Sequence, residues 1–405
     1  MYIFGTDEAG YGPNLGPLVV SACGWEVPDS LFVDRMYEAL FPVVLPWSGR
    51  KNLTADANDP GRFLLDDSKK LYQGQLSSGG LKHLEYALLT CLASLGRIDL
   101  SNATIADVFH ALVKPGYLSA STTGNAGNAE DAGNAGNAKN AEYSGNADKA
   151  GVAQKQDDEE SLPGLDFGDS PSESCSCVNE TGALELADAA SRFSEPLGEK
   201  PSEGISVPVD ADAVRLTACV ERFRTFQSES GVYLRELVSD AVFPQRFNQL
   251  CRRLGNKSTV LSRVTLALLY DAMIRCPCEK GIILCDKHGS RDRYADLLRQ
   301  QFQTDVEILI ESRSISTYQF VWRSGSYRIS FQAKGDSQPP AALASVADKY
   351  LRELAMRQFN EFWQEQIPGL EPTAGYPVDA KRFLAQIDEK RRQLEIPLDI
   401  LWRER

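Results

Sequence analysis

The sequence predicts an α/β fold in which a mixed sheet is flanked by helices. Short apolar segments end on turn residues or carboxylates, whereas longer segments repeat leucine at helical spacing. Because the two kinds of segment are mixed along the chain, strands and helices are expected to form layers around one core. The 405 residues, 42% of them hydrophobic and 24% charged, have the usual composition of a globular protein.

Two strands are predicted near the N-terminus, at residues 2–6 and 18–23, with a glycine- and proline-rich turn between them. A third apolar run covers residues 281–286 and stops on a carboxylate, Asp286. Further strands are predicted at 306–310 and 327–331.

Three helices are predicted from periodicity. Residues 81–95 place leucines on one face, and residues 260–274 form a second helix. A long helix over residues 341–363 begins after Pro339-Pro340, since proline is favoured in a first helical turn. Together with the chain that follows, this helix gives a predicted C-terminal helical part.

Residues 119–211 are predicted to be a low-complexity, disordered insertion. They contain Gly-Asn-Ala iterations and an acidic cluster at 157–160, and such a composition buries too little apolar surface to offset its ordering entropy. The predicted organisation is therefore one folded domain in two parts, 1–118 and 212–405, interrupted by 119–211.

The net charge of −13 comes from the same insertion. Residues 121–210 contain 18 acidic and five basic side chains, so the rest of the chain carries 38 of each sign and can still bind phosphates. No apolar run reaches the length of about 20 residues that a membrane helix needs, and the N-terminus does not resemble a signal peptide. These features predict a cytoplasmic protein with reduced cysteines and no membrane association.

The strongest chemical signal is the pair Asp7-Glu8 at the end of the first strand, followed by a run rich in glycine and proline up to Pro17. Adjacent carboxylates repel each other unless a cation lies between them, and their oxygens suit hard ions such as Mg²⁺ or Mn²⁺. Glycines after such a pair let the backbone approach a phosphate. The pattern predicts a metal site beside a phosphate-binding loop.

This motif resembles the opening signature of the ribonuclease HII family, Asp-Glu-Ala-Gly-Arg-Gly-Pro followed by Gly-Pro and a valine-rich strand. The matching segments are Asp7-Glu8-Ala9-Gly10, Gly12-Pro13 and Gly16-Pro17. Tyr11 replaces the arginine that helps the family to recognise a ribonucleotide at a junction with DNA, which puts junction specificity in question. The resemblance implies a ribonuclease-H-like fold and substrate contacts from Gly10, Tyr11 and Gly12.

Later segments follow in the order of the same family. Asp67-Ser68-Lys69-Lys70-Leu71 resembles an element whose lysine approaches the nucleic-acid backbone, so Ser68, Lys69 and Lys70 are expected to bind substrate. Asn256-Lys257 resembles the segment before the third metal ligand, which would be Asp286. Lys334-Gly335-Asp336 resembles the family's Lys-Ala-Asp element. Gly375-Tyr376 resembles its Gly-Tyr motif, whose tyrosine stacks at the ribose.

The fourth metal ligand has two candidates. Alignment with the family pattern Ser-Ile-x-Ala-Lys-x-x-Arg-Asp matches Ser345, Lys349 and Arg352 and places Glu353 on the aspartate. Asp348 is the alternative, and because the two side chains lie roughly 140° apart on a regular helix, they cannot share one face. Glu353 is favoured here, since three neighbours hold its register.

The resemblance implies two-metal-ion hydrolysis of the RNA strand in RNA–DNA hybrids, or at ribonucleotides embedded in DNA, by a monomer. Asp7, Glu8, Asp286 and Glu353 would be the catalytic, metal-binding residues for two Mg²⁺ or Mn²⁺ ions. One alternative is a non-catalytic nucleic-acid-binding protein that retains the fold. A second is another phosphoryl-transfer enzyme on a related fold, which is disfavoured because the sequence contains no phosphate-binding loop with its lysine.

Overall fold

A seven-stranded mixed sheet forms the centre of the protein. The computed structural model describes residues 1–50, 61–72, 80–113, 205–333 and 338–404. The strands of the large sheet are β1 (Tyr2–Ala9), β2 (Leu18–Glu26), β5 (Tyr233–Val242), β6 (Lys280–Asp286), β7 (Val306–Glu311), β8 (Ile315–Trp322) and β9 (Gly325–Gln332). Two short strands, β3 (Val44–Leu45) and β4 (Phe63–Leu64), pair separately.

The strand order is β5-β2-β1-β6-β9-β8-β7. Strand β1 is antiparallel to β2 and parallel to β6, and β6 is in turn parallel to β9. Parallel neighbours end at the same edge of the sheet, so the C-terminal ends of β1, β6 and β9 lie next to one another.

Helices cover the sheet. They are α1 (Met36–Leu40), α2 (Ser68–Leu71), α3 (Lys82–Ser94), α4 (Ile105–Leu112), α5 (Ala213–Ser230), α6 (Pro244–Leu254), α7 (Lys257–Arg275), α8 (Ala295–Phe302), α9 (Pro339–Gln366), α10 (Pro377–Gln393) and α11 (Leu398–Leu401). The predicted α/β class, with a mixed central sheet, flanking helices and a C-terminal helical part, is confirmed. No helix in these ranges is long and apolar enough to cross a membrane.

Glycine allows α9 to pack directly against the central strand. A Cβ atom on Gly5 would lie 2.2 Å from the carbonyl carbon of Pro340 and 2.4 Å from the nitrogen of Ala341, so no larger residue fits there. The Sγ of Cys23, the partner of Gly5 on β2, donates to the carbonyl oxygen of Pro340 at 3.1 Å. Because side chains alternate along a strand, Asp7 lies on the same face as Gly5 and therefore faces α9.

Helix α9 also joins two hydrophobic cores. Its first half contributes residues such as Leu343 and Leu351 to the main core under the sheet. Its second half contributes Trp363 to a smaller core shared with Phe383 of α10 and Leu401 of α11. The C-terminal helices are thus connected to the sheet through one continuous helix.

Residues 205–211, the last seven of the predicted insertion, pack on the domain. Val207 is buried, and Ile105 donates its N–H to the carbonyl of Ile205 at 2.9 Å. The predicted boundary at residue 211 therefore lies inside the packed part of the chain. The earlier residues of the predicted insertion, up to 204, lie outside the described residues, as does Lys334-Gly335-Asp336.

Candidate metal centre

Three carboxylates meet at the shared edge of β1 and β6. The parallel register pairs Thr6 with Cys285, so the next residues, Asp7 and Asp286, emerge beside each other. One ligand atom from each of Asp7, Glu8 and Asp286 lies within 4.8 Å of the others. The structure thus brings together three of the predicted metal ligands, at a spacing where negative charges repel strongly without a cation.

The lysine that follows Asp286 does not neutralise this cluster. Lys287 is buried, and its Nζ donates to the carbonyl oxygens of Ser312 at 2.9 Å and Arg313 at 3.0 Å and pairs with Asp292. Its charge is therefore used to fix the loop between β7 and β8.

Asp348 of α9 is the fourth carboxylate of this region. Its side chain is completely buried, and neither carboxylate oxygen has a hydrogen-bond partner within the described ranges. Burial raises the pKa of Asp348 well above its usual range, and the neighbouring charges of Asp7 and Glu8 raise it further. The nearby Ser21 hydroxyl offsets part of this rise, although its own hydrogen bond is with Ser239 Oγ at 2.6 Å and not with either Asp348 oxygen.

The donor set fits a divalent cation. Buried carboxylates are normally paired with a donor or bound to a metal, and two unpartnered oxygens beside other acids are a costly arrangement otherwise. Asp348 lies outside the 4.8 Å group of three, but α9 packs directly on β1 at Gly5, and the charges of Asp7 and Glu8 both raise the pKa of Asp348. A set made only of carboxylate oxygens suits Mg²⁺ or Mn²⁺ better than softer metals.

Glu353, the favoured fourth ligand in the sequence, has other partners. Tyr72 donates its hydroxyl to Glu353 Oε2 at 2.9 Å, and Lys349 pairs with Oε1. The physical reason is helix geometry: Asp348 faces the sheet and its acidic cluster, so a residue roughly 140° away around α9 must face elsewhere. The structure brings Asp348, and not Glu353, to the predicted ligands.

His288 lies two residues after Asp286 but serves the fold. Burial lowers its pKa to about 3, so the imidazole is neutral near neutral pH, and its Nδ1 lies 2.9 Å from Ser262 Oγ. The ring also contacts Tyr294 edge-on at 5.5 Å between centroids. These contacts show a packed aromatic residue.

Tyr11 lies at the border of the acidic cluster. Burial raises its pKa, Ser258 hydrogen-bonds the phenol, and the charge of Glu8 raises the pKa further. The Nζ of Lys257, at the start of α7, lies 4.7 Å from the centre of the Tyr11 ring. Tyr11 therefore stands between the carboxylates and a cationic helix start.

Tyr376 lies beside the loop that joins β1 to β2. Its side chain is 58% exposed, and a Cβ atom on Gly12 would lie 3.9 Å from Tyr376 Cε1. The loop is tied to the segment before α10, because Asn14 donates its N–H to the carbonyl oxygen of Gly375 at 2.7 Å. Gly12 and Tyr376, both predicted to bind substrate, are thus neighbours.

Helix α2 carries the remaining predicted substrate residues. Ser68 Oγ lies 2.9 Å from Ser345 Oγ, one turn before Asp348, so α2 packs beside the acidic cluster. Lys69 and Lys70 are both exposed, and Lys70 Nζ pairs with Asp66 at 2.6 Å.

Two buried arginines near the loop had no predicted role. Arg352 and Arg403 both donate to loop carbonyls. Arg352 is a match in the family pattern, and Trp402-Arg403 resembles only a remnant of the family's C-terminal His-Arg pair, so the sequence gives neither guanidinium a defined role. Only the tertiary contacts show that these guanidinium groups bind the loop between β1 and β2.

No protein-family profile matches the chain, and no curated protein matches it. Among solved structures, it is similar to the ribonuclease H2 from Pyrococcus horikoshii OT3, with 12% identity and a TM-score of 0.34 over 99% of this chain and 92% of that one. It is also similar to a PCNA:RNase HII complex from Archaeoglobus fulgidus, with 12% identity and a TM-score of 0.35 over 100% and 95% of the two chains. The functional proposal therefore rests on the site residues themselves.

Proposed function

We propose that the protein is a metal-dependent endonuclease that hydrolyses the RNA strand of RNA–DNA hybrids, or cuts at ribonucleotides embedded in DNA. One observation carries this proposal: Asp7, Glu8 and Asp286 converge within 4.8 Å beside a fully buried carboxylate, Asp348, that has no partner among the described residues. The family resemblance of the first motif indicates the substrate class.

Asp7, Glu8, Asp286 and Asp348 would hold the cations, with Mg²⁺ or Mn²⁺ as the expected ions. When bound, two such ions lower the pKa of an attacking water and stabilise charge on the leaving 3′ oxygen. The chain itself supplies the rigid arrangement of donors, since Asp7 and Asp286 are fixed by strand pairing and Asp348 by a long packed helix.

The loop after β1 and its neighbours would bind the nucleic acid. Tyr11 within the loop and Tyr376 beside Gly12 would contact the sugar or base, while Lys69 and Lys257 would supply positive charge for phosphates. Discrimination between RNA and DNA would depend on the 2′-hydroxyl and on the shape of the minor groove. Phosphate contacts make the affinity salt-dependent.

The test is cleavage of labelled duplexes in Mg²⁺ or Mn²⁺. One duplex carries a single ribonucleotide, another a full RNA strand, and the third only DNA. We expect cutting of the RNA-containing strands and its loss, by about a thousandfold or more, in Asp7→Asn. Intact substrates with every metal would contradict the proposal.

A non-catalytic nucleic-acid-binding protein is the second candidate. It is favoured by Tyr11 in the place of the family's arginine and by the pairing of Lys70 with Asp66. This candidate predicts that the metal binds and that RNA-containing duplexes bind without being cut. Equilibrium binding of the same three duplexes therefore separates the two functions.

A further inference from the structure

Trp402 and Arg403 bind the loop between β1 and β2. Arg403 donates from one guanidinium nitrogen, Nη2, to the carbonyl oxygen of Gly10 at 2.5 Å and to that of Pro13. Its backbone N–H donates to the carbonyl of Asn14 at 2.9 Å, and Asn14 Nδ2 donates to the carbonyl of Arg403 at 3.2 Å. A β-bridge between Leu15 and Trp402 completes the contact.

The Arg403 side chain is an unusual choice for a purely structural contact. It is 2% exposed, its guanidinium lies 4.9 Å from the centre of the Phe247 ring, and within the described ranges it forms no ion pair. Its Nε and Nη1 have no hydrogen-bond partner in the same part of the chain. Burying a charge against carbonyls alone is costly, so the arrangement favours a specific loop geometry over stability.

Arg352 of α9 holds the other end of the same loop. Its Nη1 donates to the carbonyl oxygen of Pro17 at 2.6 Å, and its Nη2 donates to that of Leu15 at 3.3 Å. Gly10 has a φ of +86°, and a Cβ atom there would lie 2.5 Å from the oxygen of Pro17. Glycine at this position therefore lets the loop close tightly around the guanidinium groups.

The held loop begins one residue after Ala9, next to the acidic cluster, and carries Tyr11 and Gly12. Because the C=O and N–H of a trans peptide point in opposite directions, the N–H of Tyr11 faces away from Arg403. The contact that fixes the carbonyl of Gly10 thereby also fixes the direction of this N–H and of the Tyr11 side chain.

We infer that Arg403 is a positioning residue that holds the 10–17 loop in the shape needed to bind the phosphodiester backbone of the substrate. This inference rests on the proposed function. Arg403 itself does not contact the nucleic acid: it acts through the carbonyls of Gly10 and Pro13. The loop would present Tyr11 and the adjacent backbone to a phosphate and sugar next to the metal centre.

The test compares Arg403→Met and Arg403→Lys with a matched control, Arg252→Gln. Arg252 pairs with Glu404 at 2.5 Å on the surface, so the control disturbs the same terminal segment without touching the loop. For each protein, KM and kcat are measured on the RNA-containing duplex, and Mn²⁺ affinity is measured without nucleic acid by calorimetry.

We expect Arg403→Met to raise KM about tenfold, as for the loss of a charged hydrogen bond, with kcat and Mn²⁺ affinity nearly unchanged. Arg403→Lys, which keeps the charge, should recover part of the loss, and Arg252→Gln should behave as the wild type. An unchanged KM in Arg403→Met, or an equal loss of Mn²⁺ affinity, would overturn the inference. If Arg403→Met does not fold, an unchanged KM in Arg403→Lys overturns it instead.

Failure of the proposed function gives a different result. If the wild-type protein cuts no duplex, its dissociation constant for the same duplex is measured directly. A tenfold weaker binding by Arg403→Met than by Arg252→Gln would then uphold the positioning role in a non-catalytic protein. Equal binding by both variants would overturn it.

Discussion

Two fully buried carboxylates have opposite surroundings: Asp348, which belongs to α9, and Glu85, which contacts Tyr350 of the same helix. Glu85 of α3 accepts the N–H groups of Val209 at 2.6 Å and of Asp210 and Ala211 at 2.7 Å, and the hydroxyl of Tyr350 at 2.9 Å. Asp348, two residues before Tyr350, has no partner on either oxygen in the described ranges.

This difference distinguishes a carboxylate that stabilises the fold from one whose surroundings suit a cation. A carboxylate that accepts four hydrogen bonds is satisfied where it lies, and Glu85 accordingly holds residues 209–211 onto the domain. A carboxylate that is equally buried but unsatisfied, and close to Asp7 and Glu8, is unfavourable until a cation arrives. Burial alone would have made the two residues look equivalent, and only their partners distinguish them.

Asp348→Asn should have the largest effect on activity. Replacing an oxygen of the proposed metal site by an amide should reduce cleavage by at least about a hundredfold and weaken Mn²⁺ binding, because the cluster loses a negative charge. The metal-free variant should unfold at a higher temperature than the wild type, since the amide replaces a carboxylate whose charged form is disfavoured by burial. Cleavage rates, calorimetry and thermal unfolding in EDTA measure these effects. Wild-type activity in this variant would remove Asp348 from the site.

Glu85→Ala should lower the stability of the protein and leave its Mn²⁺ affinity unchanged. Three backbone N–H groups and the Tyr350 hydroxyl would lose their acceptor, and each buried group left unpaired costs about 1–3 kcal/mol, so the protein should lose about 3 kcal/mol or more of stability. Chemical denaturation measures the loss. Below the unfolding transition, the Mn²⁺ affinity should match that of the wild type. A weakened metal site in the folded variant would mean that the two carboxylates are coupled through α9.

The pH dependence of metal-free stability should show the contribution of Asp348. Because the folded-state pKa of Asp348 lies above the ordinary value of 3.8, the folded protein binds more protons than the unfolded chain above that pH. The stability contribution is therefore present below the unfolded pKa and is lost as pH rises through the folded pKa. Thermal unfolding in EDTA should show a wild-type loss with rising pH that is smaller in Asp348→Asn. The same loss in both proteins would assign it to other groups.

The sequence identified the strand-end acids because their local signals agree. Asp7-Glu8 and Asp286 each end an apolar run, and parallel pairing of β1 with β6 then brings them together. The resemblance to a known motif predicted metal binding and phosphodiester hydrolysis. These residues depend mainly on strand periodicity, which a sequence displays directly.

Two features could not be predicted because they depend on distant contacts. The face that α9 turns to the sheet is set by its close approach to Gly5, so alignment with a family pattern favoured Glu353 over Asp348. The composition of residues 205–211 resembles that of the preceding insertion, and only the acceptor supplied by Glu85 shows that 209–211 are held. In both cases the deciding partner lies far away along the chain.

Glu353→Gln should have the smallest effect of these substitutions. Glu353 receives the Tyr72 hydroxyl at 2.9 Å and pairs with Lys349, so its loss should cost at most about 1 kcal/mol, as for other partly exposed pairs. Cleavage should stay within about threefold of the wild type, because the charge near the metal centre is unchanged. Run beside Asp348→Asn, which removes one carboxylate from the same helix, this variant is a matched control for charge. If Glu353→Gln loses cleavage and Asp348→Asn keeps it, the alignment was right about the fourth ligand, and α9 must turn its other face to the cations.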